Sequence, residues 1–392
     1  MSRTIRDEPI RIGGGELLLS CMIALVTTLL LSPALTTAII KPRLYDGSIN
    51  DIGRYAMTFD AYQHISENSD SAVIAIGSSK MREAFNGVLL KELSSSEHDF
   101  YNLAYSLEHP YVRVIEIGSI VELNPNMVVM EIGPNTFSEL STPLPEWAKM
   151  MMAQLIALGG VEHTQHLDEI ILPEDLVILP DTHLERMEHL ATYFPGALEC
   201  TIEYDFGLDD PYPCFGIDPN VRCVPPPTSS IYDNYLRHPP KLPNILAMIK
   251  QNGSLINSHG QAYNISLEYY YGESLDKYIN RTYHNPEGVL NKNQIAFEYM
   301  IDVLVEAEIQ VVLLGLPYNP VLMERLAPGQ WEYYNSSLAN YSQIQGVTAL
   351  NMMWDSVWEE DDFSDRTHMS QLGERKLAEL LVQPLDDLLE VY

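Results

Sequence analysis

At 392 residues and 46% apolar composition, the chain is long enough to bury one large core or two ordinary ones. A net charge of −31 argues against nucleic acid as a partner, since a polyanion recruits Lys and Arg and repels carboxylates. The acidic residues are spread along the chain, as on a surface adapted to salt or crowding.

Residues 17–40 carry no charged side chain. At about 1.5 Å rise per residue, roughly 20 residues cross the hydrocarbon core of a bilayer, so this stretch reads as a transmembrane anchor embedded in membrane lipid. Arg3, Arg6 and Arg11 precede it, and Lys41 and Arg43 follow. Positive-inside weighting places residues 1–16 in the cytoplasm and the body outside. A cleaved signal peptide is the alternative, but the apolar stretch is longer than a usual h-region.

A polar juxtamembrane segment, 41–70, leads into a body at 71–392. N-x-Ser/Thr sequons at Asn252, Asn264, Asn280, Asn335 and Asn340 suit an extracytoplasmic body. Cys21 lies in the apolar stretch; of the remaining Cys200, Cys214 and Cys223, the last two are close enough in sequence to be the favoured disulfide.

Within the body, strands are expected at 72–76, 99–104 and 127–132, with helices at 80–93 and 110–122 between them. The alternation resumes with a helix at 286–308, strands at 311–316 and 347–351, and a last helix at 370–382. Such alternation implies an α/β fold, a three-layer, flavodoxin-like parallel sheet of about five strands between helices. An irregular insertion without a sheet of its own, 137–284, interrupts it, with short helices expected at 150–158 and 243–249. The insertion reads either as a lid or binding surface, or as decoration packed on the core. Its Asp205, Asp209, Asp210 and Asp218 lack EF-hand spacing and read as solvated rather than as a metal site.

Three loops carry candidate chemistry. Gly77-Ser78-Ser79 follows the first strand, at the sheet edge where open α/β proteins bind ligands. Ser79 reads as a nucleophile or as part of a helix cap. Gly133-Pro134-Asn135-Thr136 follows the third strand, so Asn135 is an oxyanion donor or a turn residue. Asp365 and His368 lie three apart after the last strand, where a carboxylate can orient an imidazole. Lys80 and Arg82 are candidates to attract an anionic substrate, or are solvated at a helix start. No G-x-S-x-G elbow is present, which speaks against an ordinary α/β-hydrolase.

The ordered set Gly77-Ser78-Ser79, Gly133-Pro134-Asn135 and Asp365-x-x-His368 resembles the SGNH (GDSL-like) hydrolase superfamily. Among its branches it looks most like the membrane-anchored, cell-envelope group that includes DltD-like and alginate O-acetylation proteins. The resemblance covers about residues 71–136 and 286–382. It implies Ser79 as nucleophile, His368 as base, Asp365 as the acid that orients it, and Asn135 as an oxyanion donor. Ser78 replaces the aspartate of the GDS form, and Thr136 stands where the family often has Asp. Ala104 stands where the second-block glycine is expected, and its backbone N–H is the implied second oxyanion contact. The implied activity is a cofactor-independent serine esterase or O-acyltransferase acting on acyl esters of surface glycan or polymer. The alternative is a non-catalytic scaffold that binds glycan or a membrane acyltransferase partner.

Overall fold

The computed structural model describes residues 14–35, 61–105, 109–138, 140, 144–159, 170–172, 175, 233–234, 236–239, 241, 244–256, 262–282, 291–354 and 357–390. The favoured cysteine pair, the four insertion aspartates, the flanking arginines and residues 36–40 of the expected anchor lie outside these. Helix α1, Gly14–Leu35, occupies most of the apolar stretch, and its side chains at 17–27 are exposed. Among the described residues, no helix is long and apolar enough to cross a membrane.

The body is built on a five-stranded, all-parallel sheet: β1 (Ala72–Ile76), β2 (Asp99–Asn102), β3 (Met127–Ile132), β6 (Gln310–Gly315) and β7 (Val347–Asn351). The spatial order is β2-β1-β3-β6-β7. The chain leaves β1 toward one side and returns on the other at β3, so the crevice beyond the carboxyl ends of β1 and β3 is the topological switch point.

β1, β3 and β6 are buried throughout, which explains their largely apolar sequences. Ile74, Ile76, Val128, Met130 and Leu313 face one core, with helices α8 (Lys292–Glu306) and α9 (Pro328–Tyr341) packed over them. Val73, Ala75, Val129 and Leu314 face the other, covered by α2 (Ser79–Ala84), α3 (Gly87–Leu93) and α10 (Gln371–Leu389). The α/β sheet flanked by helices is therefore as expected, with β3 and β7 at the expected positions.

Several boundaries differ. The helix expected at 80–93 is two helices, because Asn86 caps α3 through its side chain to the Leu89 N–H. Gly87 then passes so close to β2 that a Cβ would meet the Phe100 carbonyl oxygen at 2.1 Å. The helix expected at 110–122 is broken into one α-turn, a 3₁₀ turn and α4 (Ile117–Leu123), which stops at Asn124 in the left-handed region, φ 51. α8 starts at Lys292 behind the capping Asn291. α10 continues through Pro384 to Leu389, since the buried Leu385 and Leu389 carry its apolar face onward and offset the missing N–H.

The insertion does hold a small sheet, the antiparallel pair β4 (Ser254–Ile256) and β5 (Ala262–Asn264). It also holds α5 (Glu146–Gly159), α6 (Ile245–Asn252) and α7 (Glu273–Thr282). All five sequon asparagines are exposed.

Candidate active site

The turn after β1 is fixed before any chemistry is considered. Gly77 has φ +155, and a Cβ there would meet Glu131 Cβ at 2.5 Å and Met81 Cβ at 2.9 Å, so only glycine fits. Glu131, one residue from the end of β3, takes the Ser78 N–H at 2.7 Å and the Ser78 hydroxyl at 2.8 Å on the same carboxylate oxygen. Ser78 Oγ in turn accepts from the Lys80 N–H at 3.2 Å and caps α2. Ser78 is thus the cap, which leaves Ser79, as the first residue of α2, partly exposed over the sheet edge.

The loop after β7 brings the partners. Ser364 donates its N–H to the His368 carbonyl at 2.8 Å, and Phe363 bridges Met369, so residues 365–367 form a tight turn. Asp365 Oδ1 accepts the N–H groups of Thr367 at 2.7 Å and His368 at 2.8 Å, an Asx-type turn. Its other oxygen meets His368 Nδ1 at 2.6 Å, and His368 Nε2 lies 2.7 Å from Ser79 Oγ.

The electrostatics assign the protons. Burial would push the Asp365 carboxyl up, but His368 and the two backbone N–H groups outweigh it and hold it below the usual carboxylate value. An ionised carboxylate only accepts, so His368 Nδ1 carries the proton and Nε2 is free to accept from Ser79. Burial would lower the His368 pKa, yet the Asp365 carboxylate and then Glu83 raise it above 6.5.

Asn135 is oriented by two donors. Its Oδ1 accepts from Lys80 Nζ at 3.0 Å and from the Tyr318 hydroxyl at 2.8 Å, and Lys80 also donates to that hydroxyl at 2.9 Å. With both donors on the carbonyl oxygen, the amide Nδ2 is the end left to donate elsewhere. Lys80 Nζ lies 2.6 Å from Glu131 Oε1 and 4.6 Å from the centre of the Tyr318 ring. Burial disfavours both charges of the pair, but each partner more than restores the other: Lys80 is held above its ordinary pKa and Glu131 below.

Two expectations are corrected. Lys80 and Arg82 are not surface cations; they are 5% and 2% exposed, and Arg82 is paired with Glu83 at 3.2 Å. Both charges are paired inside the protein, Lys80 with Glu131 at the edge of the cavity described below. Ala104 is fully buried, and its N–H donates to Asn102 Oδ1 at 3.1 Å. Asn102 Nδ2 meanwhile binds the Met81, Arg82 and Phe85 carbonyls that close α2. The Ala104 N–H is therefore spent on a structural contact. Glu131 and Tyr318 went unrecognised in the sequence, although a lone carboxylate in the run MVVMEI was a signal, because an unpaired buried charge is not tolerated.

A cavity of about 450 Å³ opens beside Ser79 and His368, lined among others by Asn135, Thr136 and Tyr278. Among the described residues no cluster of His, Cys, Asp or Glu is suited to a metal ion. Comparison of the chain with protein-family models and with curated proteins finds no match in either. The parallel five-stranded α/β sheet and the site geometry therefore stand on the structure alone.

Lys80→Met leaves the Glu131 carboxylate buried without its cation and is expected to cost about 3–5 kcal/mol in denaturant unfolding. Lys80→Met combined with Glu131→Gln is expected to lose clearly less. A single-variant loss below about 1 kcal/mol would mean that the pair does not hold the two loops together.

Proposed function

We propose that this chain is a serine ester hydrolase or O-acyltransferase of the SGNH type, acting on acyl esters of surface glycan or polymer. The observation that carries the reading is the continuous contact from Asp365 through His368 to Ser79, with 2.6 and 2.7 Å links. These are distances at which a general base can take a hydroxyl proton.

In the first half-reaction, Ser79 Oγ attacks the acyl carbonyl carbon as its proton passes to His368 Nε2. The negative charge that develops on the carbonyl oxygen is met by Asn135 Nδ2, whose direction Lys80 and Tyr318 set, and by the backbone N–H of Ser79. The bond from the acyl carbon to the leaving oxygen breaks, and His368 returns its proton to that oxygen. In the second half, water or an acceptor hydroxyl gives its proton to His368 and attacks the acyl-enzyme, and Ser79 is released protonated. Water makes the chain a deacylase; a sugar hydroxyl makes it a transferase, acting with or without a membrane acyltransferase partner. No cofactor takes part in either route.

One assay on a soluble ester tests this. Ser79→Ala and His368→Ala are each expected to lower kcat by about 10⁴-fold or more, with the double variant hardly worse. Additive losses would point to the scaffold alternative. The base must be neutral, so activity falls as pH drops through the His368 pKa, and the acid limb of kcat/KM is expected above about 6.5. Asp365→Asn removes the main cause of the upward shift and leaves burial, so its residual activity should have a limb at lower pH. A wild-type limb below 6.5 contradicts the assigned electrostatics.

We further propose that residues 17–40 anchor the chain with its body outside the cytoplasm, supported by the exposed leucines of α1 and the flanking basic residues. Protease admitted to the outer face of intact cells is expected to digest the body. Protection of the body under those conditions, with lysis restoring digestion, would place it on the cytoplasmic side.

A further inference from the structure

The cavity beside Ser79 is larger and more apolar than an acetyl group needs. At about 450 Å³ it lies in the range, roughly 300–1,000 Å³, of pockets that take whole small ligands. Beyond the polar groups around Ser79 it is lined by Ile76 from β1, Met130 from β3, Pro110, and Phe297 and Met300 from α8. Ile76, Met130, Phe297 and Met300 belong to one core face and are each no more than 2% exposed. They form the apolar floor of the cavity at the switch point, where the sheet edge leaves room.

The charges around it are already balanced. Lys80 is paired with Glu131 at 2.6 Å. His109 accepts from Asn293 Nδ2 on its Nδ1 at 3.2 Å, since the Asn293 oxygen is taken by the Tyr111 N–H. Burial pushes the His109 pKa down to about 4, so the ring is neutral at ordinary pH. Among the described lining residues no cation is left to meet a carboxylate on the acyl group.

Resting on the Ser79 reading above, we propose that this cavity is an acyl-chain site and selects an uncharged acyl group on the order of four to eight carbons, rather than acetyl or a dicarboxylic half-ester. The terminal methylenes lie against Met130, Phe297 and Met300, and the ester carbonyl sits between Ser79 and Asn135. Each methylene that moves from water into this lining improves transition-state binding by about fourfold.

The test is kcat/KM of the purified full chain on p-nitrophenyl acetate, butyrate, hexanoate and octanoate, and on a mono-succinyl ester. The expected profile rises by about fourfold per methylene from acetate, on the order of a hundredfold by hexanoate, with the succinyl ester well below butyrate. Met300→Trp is expected to reduce the hexanoate-to-acetate ratio at least tenfold, and Met300→Ala to raise octanoate relative to hexanoate. A ratio taken within one variant does not depend on how much of it folds. If Met300→Trp does not fold, the Met300→Ala ratio decides. A profile that is flat or falls from acetate, a succinyl ester preferred to butyrate, or ratios unmoved by the Met300 variants that fold would each overturn the acyl-chain site while leaving the hydrolase reading intact. No turnover of any ester by the wild type would remove the Ser79 reading itself, and the acyl-chain site with it.

Discussion

The site depends on a buried carboxylate. Glu131 gathers the Ser78 N–H, the Ser78 hydroxyl and the Lys80 ammonium on its two oxygens. Through Lys80 and Tyr318 it reaches Asn135 as well. One residue near the end of β3 thereby fixes the turn after β1, the asparagine after its own strand and, through Tyr318, the segment that follows β6. Such a charge is expensive to bury, and it is tolerated because each carboxylate oxygen has a donor and one has a cation. The Lys80–Glu131 pair itself carries no net charge beside Ser79.

The second constraint is topological. Positions 79, 135 and 368 are far apart in sequence, yet each lies on a loop after a strand of the same parallel sheet. Parallel strands place all such loops at one edge, and the reversal of direction at β1 opens a crevice there. The Asx-type turn at Asp365 then does locally what the sheet does globally: it bends 365–368 back so that the carboxylate and the ring of His368 meet in line with Ser79. The geometry of the site follows from strand order and two short turns.

Much of this was legible in the sequence, for a physical reason. The unbroken apolar run at 72–76 and the nearly apolar one at 127–132 suit strands between two helical layers, so they announced a parallel sheet and where its loops would fall. Ser79 and Asn135 were readable because each is a polar type just beyond such a run, and Asp365 and His368 because they lie three apart after the last strand. Several of the departures depend on contacts that only the folded chain makes. The break between α2 and α3 combines the Asn86 cap with the approach of Gly87 to the Phe100 carbonyl of β2. The extension of α10 past Pro384 is set by burial of Leu385 and Leu389. Lys80 and Arg82 looked like surface cations because nothing local says that Glu131 and Glu83 will be buried beside them. Ala104 was assigned by position, and only the fold reveals that Asn102 has taken its N–H.

The central claim is that Ser79 is a nucleophile made reactive by its neighbours, and the most direct measurement is covalent labelling with a fluorophosphonate probe, mapped by mass spectrometry of the digested full chain. The account predicts one phosphonylated site, Ser79, in the wild type, with labelling lost in Ser79→Ala and strongly slowed in His368→Ala. Labelling that persists in Ser79→Ala, or a folded wild-type chain that takes up no probe at all, would contradict it.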